Sequence, residues 1–273
     1  MTWPRFIKSQ YIVTFSATQD GENRLGPETS NTFNDTGEVW GLTYDQGFVV
    51  GHIVSDNVNI VGMALNDLVF GVALFELPGP PDPNYDGLMG LAQSSASTIP
   101  GVLTPVEALA KQGLIKEAIT SYKIPRLSDG FNDGEITFGA LDESKFDPGT
   151  LVTVPNTSQE GLWEANFTVS VNGEDLGLQG RSAILDTGTS LLVVPDVDAQ
   201  IIHAKIPGTK SDGQSGYLIP CTTTAIVTFT FGVQKFDINS LDLLFGPVDN
   251  NNLTGDCHSS IIPGTVRTSH QWL

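Results

Sequence analysis

Short apolar phrases, each closed by a turn-forming residue, dominate this chain. "YIVTFS" (11–16), "VWGLTY" (39–44), "FVVGHIV" (48–54), "NVNIVGM" (57–63), "LVFGVALFE" (68–76), "GEITFGA" (134–140), "TLVTVP" (150–155), "NFTVSV" (166–171), "SAILD" (182–186), "LLVVP" (191–195) and "AIVTFTF" (225–231) are rich in Val, Ile, Phe and Thr and are punctuated by Gly, Asn, Asp and Pro. Branched and aromatic side chains fit a pleated, half-buried surface, so these phrases read as strands. In "AIVTFTF" the alternation puts Val227, Phe229 and Phe231 on one face and Thr228 and Thr230 on the other. The most apolar stretch, "IVGMALNDLVFGVALFELPGP", is broken by Asn66-Asp67 and stopped by Glu76 and Pro78, which makes it two adjacent buried strands rather than a bilayer span. Helix is the exception. "TPVEALAKQGLIKEA" opens on Thr104 as a cap, Pro105 at the first helical position and Glu107 to complete a capping box, and "DVDAQIIHAKI" is a second, shorter candidate. The fold class is mostly β. With 273 residues and 40% hydrophobic content the chain can bury one large core or two ordinary ones. The polar run "VPNTSQEG" (154–161) marks the seam, giving domains 1–156 and 157–273.

Charge and cysteine usage narrow the function. A net charge of −18 and a pI near 4.3 repel phosphates and anionic lipid, so neither nucleic acid nor membrane is an expected partner. Near pH 4 the 31 carboxylates approach their ordinary pKa range and self-repulsion falls, although acidic charge also serves solubility alone. Cys221 and Cys257 are the only cysteines, either one bridge or two buried thiols. His52, His203, His258 and His270 are scattered without zinc spacing and read as surface or structural; no metal and no cofactor is expected. Nucleophile-elbow, phosphate-loop and dinucleotide motifs do not occur. Asn34, Asn156, Asn166 and Asn252 open Asn-X-Ser/Thr sequons and are candidate glycosylation acceptors. The first residues, "MTWPRFIKSQYIVTFSATQD", contain no apolar run of signal-peptide length and no small-residue cleavage site.

The tripeptide Asp-Thr-Gly appears twice, at Asp35 and at Asp186. A catalytic aspartate in such a turn must leave a buried strand, so apolar residues should precede it. Asp186 meets this: "AIL" comes before it and "TSLLVV" follows. Asp35 does not, because it follows Phe33-Asn34 and precedes Glu38 within a sequon. Asp35 is read as an exposed turn residue.

"AILDTGTSLLVVP" resembles the second active-site motif of the pepsin and cathepsin D family of aspartic endopeptidases. The likeness continues through "NRLGPETSNTFNDTGEVWGLTYDQGFVVGHIVSDNVNI", which resembles the stretch entering and forming the active-site flap, through "PNYDGLMGLA" with Leu88-Met89-Gly90, and through "TPVEALAKQGLI", "GEITFGALDESKFDPGTLVTVP" and "LWEANFTVSVNGEDL". It covers roughly residues 23 to 273. The resemblance implies a bilobal β fold with a cleft between lobes and one catalytic aspartate from each. It makes Asp186 catalytic, supported by Thr187, Gly188, Thr189 and Ser190, and puts Tyr44, Asp45 and Gln46 in the substrate-binding flap. It also pairs Cys221 with Cys257. The implied activity is hydrolysis of peptide bonds in proteins at acid pH by a water held between two aspartates, in a monomer that is secreted or vacuolar/lysosomal.

Two departures matter. The first-lobe Asp-Thr-Gly-Ser is absent upstream of Tyr44, where "MTWPRFIKSQYIVTFSATQDG" resembles nothing in the family, and the chain stops at "SHQWL" before the second lobe's closing hairpin. The expectation is a fold incomplete at both termini, a chain that is inactive alone for want of a first aspartate, and poor solubility from unpaired strand edges. Three accounts stand: a truncated endopeptidase, a non-catalytic pepsin-like protein that binds peptides or another protein, and a homodimer that joins two copies of Asp186.

Overall fold

The computed structural model describes residues 13–15, 25–44, 47–77, 87–126, 129–266 and 271–273. Two compact units form. The first holds the described residues up to Tyr122 together with Ile136–Asp142 and Gln159–Leu162, and the second holds Lys123–Glu135, Glu143–Ser158 and Trp163–Leu273. The polar run 154–161 is therefore shared, its first residues belonging to the second unit and its last to the first.

The first unit is built on strands β1 (Val13–Phe15), β2 (Asn34–Tyr44), β3 (Gly47–Ile60), β4 (Met63–Leu77) and β5 (Gly87–Leu88), in the sheet order β2-β3-β4-β1-β5. "FVVGHIV" and the first four residues of "NVNIVGM" lie in one continuous strand, β3, which ends at Ile60. The two strands expected on either side of Asn66-Asp67 are likewise one, β4. The polar pair makes a bulge instead of a break: the register slips between Asp56 and Val58 of β3, and Asp67 takes a positive φ of 50°. Side chains satisfy the backbone groups that the bulge frees. Asn57 Oδ1 accepts from the Asp67 amide at 3.0 Å, while Gln112 exchanges hydrogen bonds of 3.1 and 2.8 Å with the Asn66 backbone. That is why the strand continues. Helix α1 (Pro105–Lys111) has the predicted capping box, with Thr104 and Glu107 each bonding the other's backbone amide. It is shorter than the 104–118 reading, because the chain turns at Gly113, whose φ is 72°. Leu65, Leu109, Val54 and Phe70 form its core. At one end of the β3-β4 pair, Phe48 and Phe75 stay exposed with ring centroids 6.0 Å apart.

After the short strands β6 (Thr120–Lys123) and β7 (Glu135–Phe138), the second unit runs through β8 (Glu164–Val171), β9 (Glu174–Asp175), β10 (Arg181–Ile184), β11 (Leu192–Val194), helix α2 (Asp196–Ala204), β12 (Lys210–Ser211), β13 (Tyr217–Pro220), β14 (Val227–Phe231), β15 (Gln234–Ile238), β16 (Leu244–Pro247), β17 (Asp256–Ser259), β18 (Ile261–Pro263) and β19 (Gln271–Trp272). "TLVTVP" joins no ladder. The main sheet is ordered β15-β14-β8-β10-β19 with β9 beside β8; β12-β13-β17-β16 form a second sheet and β11-β18 a parallel pair. In β8 the alternation is clean: Ala165, Phe167, Val169 and Val171 are buried and the residues between them are more exposed. In β14 it is not. Thr228 is buried along with Val227 and Phe229, and its hydroxyl bonds Asp237 Oδ1 across the hairpin at 2.6 Å. The core gathers on Trp272, which meets the rings of Phe167 and Phe229 edge-on at centroid distances of 4.8 and 5.7 Å.

Cys221 and Cys257 form a disulfide across a sequence separation of 36, with Cα atoms 5.0 Å apart. It closes the β13-β17 end, where the Cys221 amide also bonds the Gly255 carbonyl. A loop of that length is worth roughly 3–4 kcal/mol in the chain-entropy account. Replacing both cysteines with Ala should lower unfolding free energy by about 2–4 kcal/mol. Chemical denaturation of the oxidised parent against the double variant would measure this, and equal midpoints would refute it.

Candidate active site

Asp186 lies just past the end of β10. The strand is held on one side by β8 in antiparallel register and on the other by β19 in parallel register, with Ser182 opposite Gln271 and Ala183 opposite Trp272. Leu185 keeps one further bond, from its amide to the Trp163 carbonyl at 2.8 Å. After the turn, β11 lies parallel to β18, and Val193 exchanges two backbone bonds with Leu273 at 2.7 and 2.9 Å. Both ends of the Asp186 loop are therefore clamped in ladders, and only residues 185–191 are free of them.

Within the loop each oxygen of Asp186 has its own donor. The Gly188 amide reaches Oδ1 at 2.9 Å and the Thr189 hydroxyl reaches Oδ2 at 2.7 Å. The carboxylate is half-buried and Ile184 behind it is buried, while Thr187, Gly188 and Ser190 are exposed. A carboxylate fixed in plane by two donors keeps its outward lone pairs for a water.

The first Asp-Thr-Gly makes the same local turn and ends differently. Gly37 donates to Asp35 Oδ1 at 2.8 Å, but Oδ2 pairs with His52 Nδ1 at 2.9 Å. The tripeptide sits in a bulge of β2, since the register jumps from Asp35 opposite Val54 to Val39 opposite His52. Gly37 takes a φ of 72°, which L side chains rarely adopt. Asp35 is exposed, and the bond to His52, then that to the Gly37 amide, hold its carboxyl below the usual range. It is a surface residue hydrogen-bonded to His52.

Other expected positions are placed as follows. Tyr44 is the last residue of β2, opposite Gly47, while Asp45 and Gln46 lie outside the described residues. Leu88 pairs with Val13 in the β5-β1 ladder, Met89 is exposed and Gly90 is buried. Of the histidines, His258 is exposed and His270 lies outside the described residues.

One group of residues beneath the loop was invisible in the sequence. Asp198, in the first turn of α2, is wholly buried. Arg181, which opens β10, grips it with two nitrogens at 2.6 and 2.8 Å, and the Trp272 indole N–H donates to the same carboxylate at 2.8 Å. Asp198 in turn raises the Arg181 pKa, mainly through that hydrogen bond. One charge thus ties the strand entering the loop, the helix leaving it and β19. Glu164 adds a second tie: its Oε1 accepts from Ser182 Oγ at 2.5 Å and Gln271 Nε2 at 3.0 Å. Nothing in the spacing of these residues announces the pairs.

His203, also on α2, is buried without a charged partner among the described residues. Its Nδ1 bonds the Ala199 carbonyl at 2.7 Å, so that nitrogen carries the proton, and Nε2 accepts from Ser259 Oγ at 2.9 Å. The Tyr217 ring stacks on it at 3.9 Å. Burial pushes its pKa down.

The fold and the loop define a class: a mostly β protein presenting a donor-held Asp-Thr-Gly carboxylate at a strand end. The family model for eukaryotic aspartyl proteases matches residues 6–272, and the chain belongs to that family. The match begins inside the N-terminal segment in which no resemblance was legible. The chain is 36% identical over 259 residues to the probable aspartic-type endopeptidase CTSD of Arthroderma benhamiae, covering 92% of this chain and 48% of that protein. It is 36% identical over 253 residues to the protein of the same name from Arthroderma otae, covering 92% and 65%. Rhizopuspepsin-1 of Rhizopus niveus is 33% identical over 243 residues, covering 88% and 62%. The chain thus spans about half to two thirds of the length of these relatives. Among the described residues no helix is long and apolar enough to cross a membrane.

Two stability outcomes follow from the buried groups. Asp198→Asn leaves Arg181 without its counter-charge and should cost about 3 kcal/mol or more in urea unfolding, with a small change contradicting the clamp. For His203, the unfolded chain takes up a proton as pH falls below about 6.5 while the folded chain resists. The neutral histidine's contribution is therefore full above that pH and lost below it, down to its depressed folded value. His203→Gln should flatten the fall of the melting temperature between pH 7 and 5; an unchanged slope would show that His203 carries none of it.

Proposed function

We propose that this chain carries one half of the catalytic pair of a pepsin-like aspartic endopeptidase, with Asp186 as its aspartate. The observation that supports this most is the pair of donors, Gly188 N–H and Thr189 O–H, that fix both carboxylate oxygens at the end of a clamped strand in a chain of the aspartyl protease family. Two carboxylates about 3 Å apart cannot both ionise easily, so such a pair holds one shared proton. One oxygen takes a proton from the bound water as it attacks the scissile carbonyl carbon, and the other carboxyl protonates the carbonyl oxygen. The apparent pKa values belong to the pair. Thr187, Gly188, Thr189 and Ser190 support the loop, and Tyr44, Asp45 and Gln46 form the flap that covers a protein or peptide substrate and excludes water. The lobes are residues 1–156 and 157–273, the working form is a monomer, and its place is an acidic vacuolar, lysosomal or extracellular setting.

On this reading only one of the two aspartates is present in this sequence; the exposure of Asp35 and its bond to His52 support that reading. The activity therefore belongs to a form that also contains a first-lobe Asp-Thr-Gly-Ser. That same observation favours the second reading, a non-catalytic pepsin-like protein that binds peptides or proteins without cutting them.

The deciding experiment reads the transcript outward from the codons for Met1 and Leu273 and expresses what it encodes. An upstream apolar-flanked Asp-Thr-Gly, cleavage of acid-denatured protein near pH 4, and a loss of roughly 10³-fold or more on Asp186→Asn are the expected results. Peptide binding that survives in a product without cleavage would instead establish the binding reading.

A further inference from the structure

All four sequon asparagines, Asn34, Asn156, Asn166 and Asn252, are exposed, so exposure does not separate them. Their hydrogen bonding does. At Asn252 the sequon hydroxyl itself, Thr254 Oγ1, donates to the asparagine's own Oδ1 at 3.2 Å. The surrounding turn is held from within: the Asn252 amide bonds the Asp249 carbonyl at 2.9 Å, the Gly255 amide bonds the Asn252 carbonyl at 3.1 Å, and the Asn251 amide bonds Asp249 Oδ1 at 2.9 Å. A turn closed by contacts within seven residues, 249–255, forms before distant strands arrive. Residue 255 matters for access. A Cβ there would lie 2.8 Å from Asn252 Nδ2, the far end of a flexible side chain, so a larger residue at 255 would push the amide from its place.

The other three sequons are committed to partners outside themselves. Asn34 Nδ2 bonds Ser55 Oγ at 3.4 Å and the hydroxyl of its Thr36 is taken by the Ile53 carbonyl at 2.7 Å. Asn156 Oδ1 accepts both the Ser158 and Glu164 amides, at 3.0 and 3.2 Å. Asn166 is locked within β8 opposite Ser182 of β10, and its Thr168 lies opposite Thr230 of β14.

We propose that Asn252 is the principal N-glycan acceptor of this chain. In the transfer a bond forms between Nδ2 and the anomeric carbon of an oligosaccharide carried on a lipid diphosphate. The bond from that carbon to the diphosphate oxygen breaks, the lipid diphosphate leaves, and Nδ2 gives up one proton. Thr254 orients the amide by holding its oxygen. The exposed side chains of Val248 and Leu253 flank the acceptor, so the sugar would cover apolar surface. The neighbouring Cys221–Cys257 bridge needs the same oxidising compartment. The inference rests on the secretory or vacuolar route proposed above.

The test separates the acceptor from the route. The chain, translated behind a cleavable secretory leader in a cell-free extract with microsomes, is treated with peptide N-glycosidase in heavy-oxygen water and mapped by mass spectrometry. Asn252 should carry most of the glycan. Asn252→Gln should lose one glycan on a gel, and Gly255→Val, which keeps the sequon intact, should lower occupancy at Asn252 severalfold. A glycan found mainly at Asn34, Asn156 or Asn166, no glycan while a control acceptor is modified, or unchanged occupancy in Gly255→Val would each overturn the proposal. Fractionation of the native host tests the route separately: a wholly cytosolic chain would sink the route while the microsomal result still judged the acceptor.

Discussion

A buried carboxylate must find its counter-charge or the fold does not hold it, and in the second unit that carboxylate is Asp198. Its solution is a bidentate Arg181 fork plus the Trp272 indole. Breaking such a pair is far more costly than forming it is rewarding, because the desolvated partner remains. The consequence is positional. Arg181 begins the strand that delivers Asp186, Asp198 stands on the helix that follows β11, and Trp272 is both the centre of the apolar core and a member of the ladder beside β10. Precision at the loop is thus anchored in the core beneath it.

The two Asp-Thr-Gly turns show how little a tripeptide decides. Both aspartates accept the amide two residues on, through nearly equal distances. What differs is the second oxygen. At Asp186 a neutral hydroxyl holds it and the outward face stays available, whereas at Asp35 an imidazole claims it on an exposed bulge. Ladders on both flanks of residues 185–191 fix the aim of Asp186, and a register slip puts Asp35 on the surface.

The chain is strongly acidic, yet it buries a histidine without a counter-ion. These features pull in opposite directions as pH falls. Protonating many carboxylates relieves self-repulsion, while His203 must either remain neutral against the solution or disrupt its bonds to Ala199 and Ser259.

The mostly β architecture, the α1 capping box, the exposure of Asp35 and the family itself were legible in the sequence, because each rests on local pattern: strand composition, a four-residue cap signature, and the polar residues around Asp35. The fusion of residues 63–77 into one strand was not, because the bulge at Asn66-Asp67 survives only where Asn57 and Gln112 arrive from other elements to satisfy it. The same holds for the Arg181–Asp198–Trp272 clamp, the Glu164 tie and the buried state of His203. Sequence by itself determined the strand-rich class, the helix cap and the family. Tertiary structure alone decided which side chains are desolvated and paired, since the Arg181–Asp198–Trp272 and Glu164 contacts join residues 17 to 107 positions apart that no local pattern brings together.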